Sequence, residues 1–367
     1  MKWAILKLYC GESVKTKYYN SQEIGLARAL ASKGEDVIIV DPKPEARKER
    51  FEKFENKIQI LEIPCKTFGV HSFYHLDFIL EQQINIVHLN SDNQLFAPSV
   101  IKFCQKNHII FYNYIGTLYS DTKNIYKKFL MDMISRRNIL YFKKSPVVAK
   151  TLAIRQQLED LGVTKAQHIP VGLDTTQIIK DNRSKNDIRR SLKLPLNKTI
   201  LLFVGRLENY KRPLASLEIL KALGETYHLV IIGNGSLAEE LKDKIHQEFR
   251  NSVSYFPAVP NSSMYQYYKA CDWYINLNTH EIFGMSILEA MYQGCPVAAR
   301  RAPGPEEMIE DKTSGYLCDS DQEMITIIKA AAANNMGQSA KKRIISLFTW
   351  EQSAEQLLNF VKQLSEN

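Results

Sequence analysis

Residues 273–297, WYINLNTHEIFGMSILEAMYQGCPV, constrain this chain more than any other stretch. An apolar run of strand length, 273–277, gives way to a polar turn, Asn278-Thr279-His280-Glu281. Phe283-Gly284 follows, then a helical run, 285–293, which Gly294 and Pro296 bring to a stop. The order is strand, loop, helix, stop, the repeating unit of an α/β chain.

Two carboxylates stand eight residues apart in this unit. Glu281 lies in the loop at the strand's C-terminal end, and Glu289 lies one turn into the helix, above Met285. Between them are the free backbone N–H groups of the helix start, around Phe283, Gly284 and Met285. Such a start attracts an anion, and Gly284 lets a phosphate come close to the chain. A carboxylate is acceptor-only and can take both hydroxyls of a diol. A phosphate seat between two such carboxylates fits a nucleotide-sugar, with ribose at one end and a hexose at the other.

The rest of the second half supplies cations. Residues 199–204 read as a buried parallel-type strand that runs into Gly205-Arg206-Leu207, then Lys211-Arg212-Pro213 and a helix. Arg206 and Lys211 therefore stand at the C-terminal edge of a strand, where open α/β sheets bind ligands. Two cations there match a diphosphate. The next strand ends at Gly233-Asn234-Gly235-Ser236-Leu237-Ala238, a G-x-G-x-x-A pattern. The strand after it, 253–259, carries no acidic residue for a ribose, so Gly233 and Gly235 read as a nucleotide-contacting turn and not as a hydride-transfer site.

The first half opens as a βαβ unit, with strands at 4–9 and 37–40 around a helix from about Ser21 to Ser32. Gly11 begins the loop after the first strand. Further strands are expected at 58–63, 86–89 and 109–114. His88 falls inside a strand and reads as structural. Residues 123–144, KNIYKKFLMDMISRRNILYFKK, are the strongest amphipathic candidate. Ile125, Phe129, Met133 and Ile134 recur at helical spacing, and Lys127, Lys128, Arg136 and Arg137 supply charge. Such a helix either lies in a membrane interface or packs with a basic outer face. Residues 175–197, polar and charged, read as a linker.

At 367 residues, two domains are the default. The net charge is +8, and all of the excess lies in residues 1–170, which hold 25 Lys+Arg against 17 Asp+Glu. It concentrates in 101–150, with 10 basic and 2 acidic residues. This fits a solvated basic face, or a surface for anionic lipid headgroups or a phosphorylated acceptor. No nucleic-acid-binding motif accompanies it. Six cysteines, none in C-x-x-C pairs, point to a reduced cytosolic protein with no disulfide framework and no zinc site. The start, MKWAILKLYC, does not read as a signal peptide, and no run of about 18 apolar residues suggests a bilayer span.

The pattern E-x-F-G-x-x-x-L-E-A-M followed by G-x-P-V resembles the signature of the family 4, or group 1, retaining glycosyltransferases of bacterial cell-surface and capsular polysaccharide synthesis. Supporting pieces appear in the family's order: His168-Ile169-Pro170-Val171-Gly172-Leu173-Asp174 is similar to its I-P-x-G-x-D turn, Gly205-Arg206-Leu207 with Lys211 to its G-R-L…K, and Phe348-Thr349-Trp350 to the start of its final helix. The resemblance implies the GT-B fold, α/β, with two Rossmann-like domains of parallel sheet facing a central cleft and a C-terminal helix crossing back to the first domain. The expected domains are 1–174 for the acceptor, 175–345 for the nucleotide-sugar and 346–367 for the crossing helix. Two departures stand out: the histidine that many members carry near residue 113 is missing, leaving Asn113 as a candidate for a sugar hydroxyl, and Gly11-Glu12 stands where paired glycines are common. Pro257 also replaces a glycine in the base-contacting loop.

By this resemblance, Arg206, Lys211, Gly205, Gly233, Gly235 and the helix start at Phe283, Gly284 and Met285 hold the donor's diphosphate end. Glu289 binds ribose, and Glu281 lies by the transferred sugar. Gly11 and Asn113 belong to the acceptor side. The expected activity is transfer of a hexose, with retention, from a nucleotide-sugar, UDP-sugar favoured, to a hydroxyl of a saccharide or polyprenyl-diphosphate-linked acceptor. No cofactor and no metal are expected, and Asp319-Ser320-Asp321, with D-x-D spacing, is taken as a helix cap. The expected location is cytoplasmic, with peripheral attachment at the inner membrane face through Lys127, Lys128, Arg136 and Arg137. A nucleotide-sugar epimerase of the same shape and a non-catalytic sugar-binding subunit remain as alternatives.

Overall fold

The structure, a computed structural model, describes residues 1–10, 21–119, 124–179, 181–330 and 336–366. Gly11 lies outside the described residues. The chain divides into two compact units, Met1–Asp174 with Thr349–Asn367, and Thr175–Phe348.

In the first unit the strands are β1 (Lys2–Leu6), β2 (Asp36–Lys43), β3 (Arg50–Glu55), β4 (Ile58–Pro64), β5 (Lys66–Phe68), β6 (His71–Phe73), β7 (Ile86–Asn90), β8 (Ile110–Ile115), β9 (Val147–Ala149) and β10 (Gln167–His168). Eight of them form one sheet in the order β10-β9-β8-β7-β1-β2-β4-β3, parallel throughout except that β3 runs antiparallel to β4. β5 and β6 pair as a separate hairpin. The central strands are apolar almost end to end because both sheet faces are covered. His88 on β7 is buried, with Nδ1 2.6 Å from the Tyr112 hydroxyl. Burial, with Lys150 nearby, pushes its pKa down to about 3, so it packs as a neutral ring.

The last helix, Trp350–Glu366, belongs to this unit. Its buried residues Trp350, Ala354, Leu357 and Val361 follow helical spacing. The Trp350 N–H donates to the Leu173 carbonyl at 3.2 Å, Ser353 Oγ donates to the Pro170 carbonyl at 2.7 Å, and Phe360 meets Tyr112 edge-on. The sequence expectation began this element at residue 346. The helix Met336–Leu347 runs through that point, and the chain returns to the first unit only at Thr349.

The second unit has β11 (Thr199–Val204), β12 (Tyr227–Ile232), β13 (Val253–Phe256), β14 (Trp273–Asn276), β15 (Val297–Arg300) and β16 (Tyr316–Cys318). They form one fully parallel sheet in the order β13-β12-β11-β14-β15-β16. The chain winds outward in both directions from β11, so the crevice beyond the ends of β11 and β14 is the switch point where such sheets take ligands. The segment read as a linker is partly built into this unit. The helix Lys185–Ser191 starts on a Ser184 cap, and buried Arg189 donates to the Ala270 carbonyl at 2.8 Å and to Asp272 Oδ2 at 2.6 Å. A charged stretch resembles a linker when its carboxylate partner lies 83 residues further on. Among the described residues no helix is long and apolar enough to cross a membrane.

Candidate functional site

The site in the second unit is built on the loops that leave β11 and β14. Leu277 to Gly284 form the β14 loop. Gly284 takes φ +101°, a left-handed conformation that aims the chain into the helix Met285–Tyr292. A Cβ there would stand 2.9 Å from Ile287 Cδ1, a second reason for glycine. No side chain caps this helix, and no acceptor among the described residues takes the N–H groups of Phe283, Gly284 or Met285. These donors and the helix dipole make an anion seat.

Glu281 and Lys211 meet at this seat. Lys211 Nζ donates to Glu281 Oε2 at 2.5 Å, joining the β11 loop to the β14 loop. Asn278 and Asn276 donate to the same oxygen at 3.2 Å and 3.4 Å. Glu281 is only 9% exposed, so its charge is held by these three donors more than by water. Arg206 is exposed, and its guanidinium lies 5.5 Å from the centre of the Tyr210 ring, the same distance as Lys211 Nζ. Glu289 sits in the helix and accepts from the Tyr268 hydroxyl at 2.7 Å.

The glycines after β11 and β12 have a packing role. Gly233 adopts φ +149°, and a Cβ on it would stand 1.8 Å from the Gly205 carbonyl oxygen. A Cβ on Gly235 would stand 2.6 Å from the Leu207 carbonyl oxygen. Backbone bonds from Leu207 N to Asn234 O and from Leu237 N to Leu207 O lock the two loops, and Glu208 takes both the N–H and the hydroxyl of Ser236. The G-x-G spacing is needed for this loop contact whatever else the turn touches.

Three expectations need correction. Asn113 is fully buried in β8, where Nδ2 donates to Ser145 Oγ at 2.9 Å and to the Pro146 carbonyl at 3.1 Å. It ties β8 to the start of β9 and is not presented to an acceptor. The cap expected at Asp319-Ser320-Asp321 is present on the helix Asp321–Ala330, but Ser320 Oγ makes it, accepting from the Glu323 N–H at 3.0 Å, and not an aspartate. Asp321 instead takes Arg212 at 2.5 Å and Arg300 at 2.6 Å, and Arg212 precedes the helix Pro213–Leu223 in a left-handed conformation. This clamp holds the turn that carries Lys211.

The third correction concerns the amphipathic helix, Ile125–Phe142. Ile134 packs inward with Ser135, Asn138, Ile139 and Phe142, whereas Ile125 (80% exposed), Tyr126 (89%), Phe129, Leu130 and Met133 lie on the surface. Of the four basic residues expected to face a membrane, Arg137 is engaged with the Leu95 carbonyl and the Asn138 side chain. Lys128 pairs with Asp132, Arg136 is exposed, and the Lys127 side chain lies outside the described residues. The surface is more apolar and less cationic than the sequence suggested. Among the described residues no cluster of three or more His, Cys, Asp or Glu could hold a metal ion.

A parallel sheet, an uncapped helix start at the switch point and flanking carboxylates are the features the sequence led one to expect of a nucleotide-sugar site. Residues 184–345 match the family model described as glycosyl transferases group 1. The chain is 26% identical over 239 residues to the D-inositol 3-phosphate glycosyltransferase of Xylanimonas cellulosilytica, covering 59% of this chain and 57% of the relative. It is 28% identical over 231 residues to the alpha-monoglucosyldiacylglycerol synthase of Streptococcus pneumoniae, covering 60% of this chain and 51% of that one. The chain thus spans about half the length of the curated relatives it matches. Anabaena Alr3699/HepE, solved in complex with UDP, superposes with a TM-score of 0.76 at 16% identity over 99% of this chain and 100% of that one. The fold is GT-B.

Proposed function

We propose that the protein is a retaining glycosyltransferase that moves a hexose from a nucleotide-sugar, UDP-sugar favoured, to a hydroxyl of a lipid-linked or saccharide acceptor. The observation that carries this reading is the meeting of Lys211, Glu281 and the uncapped helix start at the second unit's switch point. Arg206, Lys211 and the N–H groups of Phe283 to Met285 stabilise the diphosphate as it departs, an electrostatic contribution. Glu289 takes ribose hydroxyls, and Glu281 orients the sugar. The bond from the anomeric carbon to phosphate breaks, the bond to the acceptor oxygen forms on the same face, and the departing phosphate takes the acceptor's proton. No side chain is assigned as a covalent nucleophile. UDP is favoured because the superposable HepE structure holds it.

A lipid-linked acceptor in cell-surface polysaccharide synthesis is supported by the exposed apolar turns of the helix Ile125–Phe142 and by a relative named for a glycolipid product. On this reading the protein works in the cytoplasm against the inner membrane face and needs neither cofactor nor metal. The test is a thermal-shift panel of UDP, GDP, ADP and dTDP on the wild type and on Glu289→Ala. A nucleotide at about 100 times its Kd stabilises by about 2.7 kcal/mol, a shift of a few degrees in a chain of this size. One nucleotide is expected to give that shift and to lose most of it in Glu289→Ala. A flat panel overturns the donor reading.

A further inference from the structure

Glu281 is anchored through one oxygen only. Lys211, Asn278 and Asn276 all donate to Oε2, and Oε1 takes no hydrogen bond among the described residues. The two asparagines are 3% and 5% exposed. Each amide has its orientation fixed at the opposite end. Asn276 Oδ1 accepts from the Asn278 N–H at 3.1 Å, and Asn278 Oδ1 accepts from the His280 N–H at 3.0 Å. An amide whose oxygen holds a backbone N–H must turn its NH2 the other way. Here that way is the carboxylate. Asn276-Leu277-Asn278 is therefore an interlocked pair of turns whose two free donors converge on Glu281.

We propose that Asn276 and Asn278 are positioning residues that hold Glu281 by Oε2 and keep Oε1 for a hydroxyl of the donor's sugar. The proposal rests on the donor-site reading above. Two neutral donors do what a second cation could not. They fix the carboxylate's rotamer without neutralising it, so its acceptor strength toward a hydroxyl is kept. An aspartate at either place has the same shape but sets an acceptor against an acceptor, and two adjacent carboxylates cannot both stay ionised at little cost.

The test compares UDP with UDP-glucose, UDP-galactose and UDP-N-acetylglucosamine by titration calorimetry. The proteins are wild type, Glu281→Gln, Asn278→Asp, Asn276→Asp and Asn278→Ala, with thermal unfolding as a check on folding. UDP should bind the asparagine variants within about threefold of wild type. For the sugar nucleotide that wild type binds more tightly than UDP, that advantage should fall on the order of tenfold at pH 7.5 in Asn278→Asp. It should recover towards pH 5.5, where the paired carboxylates share a proton. A merely structural asparagine predicts equal loss for UDP and sugar nucleotide and no recovery with acid. Should Asn278→Asp fail to fold, Asn278→Ala, which removes the donor without adding charge, is expected to show the same selective loss without the pH dependence.

If Glu281→Gln loses the advantage while every asparagine variant keeps it, the positioning role is wrong and the donor site stands. If no sugar nucleotide binds wild type better than UDP, the role is wrong as well. If wild type binds neither UDP nor any UDP-sugar, the UDP-sugar reading falls first.

Discussion

Lys211 Nζ lies 2.5 Å from Glu281 Oε2, so a cation of the β11 loop and a carboxylate of the β14 loop are already paired, through one carboxylate oxygen, before any ligand arrives. A bound diphosphate then competes with Glu281 for Lys211. Glu281→Gln should therefore bind UDP a few-fold more tightly than wild type, and Lys211→Met at least tenfold more weakly. Calorimetry with UDP decides this. Weaker UDP binding to Glu281→Gln would overturn the competition and mean that Glu281 holds Lys211 in place for the diphosphate.

The loop contact at Gly205 and Gly233 predicts a sharp asymmetry. Gly233→Ala places a Cβ 1.8 Å from the Gly205 carbonyl oxygen at φ +149°. The loops must move apart, and the protein should lose about 3 kcal/mol or more, or fail to accumulate. Gly205→Ala meets nothing nearer than Lys211 Cδ at 3.9 Å and should fold normally. Urea unfolding of both variants is the measurement. Equal stability of the two would remove the packing account of the G-x-G spacing.

His88 predicts a pH dependence. Its pKa in the folded protein, about 3, lies below the unfolded value of about 6.5. The unfolded chain therefore binds a proton in the interval between the two that the native state refuses. The stabilisation is complete above about pH 6.5 and falls by about 1.4 kcal/mol per pH unit as pH drops towards 3. In His88→Gln this part of the acid sensitivity should vanish. Wild type and variant are compared by unfolding at pH 7.5 and pH 5. Parallel losses in both would place the titration elsewhere.

The helix Ile125–Phe142 carries most of its exposed apolar residues in the first turns, with Leu140 exposed near its end. If it meets lipid, burying Ile125 and Phe129 contributes about 1.5–3 kcal/mol each. The double variant Ile125→Glu, Phe129→Glu should float with anionic liposomes at least tenfold less well and keep its Tm, because neither side chain is packed. Lys128→Glu should change flotation less. Wild-type protein that does not float, or a double variant that floats as well as wild type, would assign this surface to something other than a membrane.

Much of the fold was legible in the sequence because its signals are local. Apolar runs of strand length, glycine and proline stops and helical spacing announce a parallel α/β chain without any knowledge of what packs where. The spacing of Glu281 and Glu289 places one carboxylate before a helix start and the other a turn inside it by helical geometry alone. The uncapped N–H groups at Gly284 followed from the same reasoning.

Contacts between distant parts of the chain could not be read this way. Lys211 finds Glu281 across 70 residues, and Arg212 finds Asp321 across 109. Nothing local separates a paired charge from a solvated one, and Asp321 could therefore pass for a cap. Asn113 looked like a polar ligand contact at a strand end until β9 closed over it. Ile134 and Phe129 share a helical period in the sequence, yet only one faces the core. Local periodicity fixes which residues can share a face. Which face is buried, and which polar group meets which partner, is set by the neighbouring elements, and those are chosen by the whole chain's burial of apolar surface.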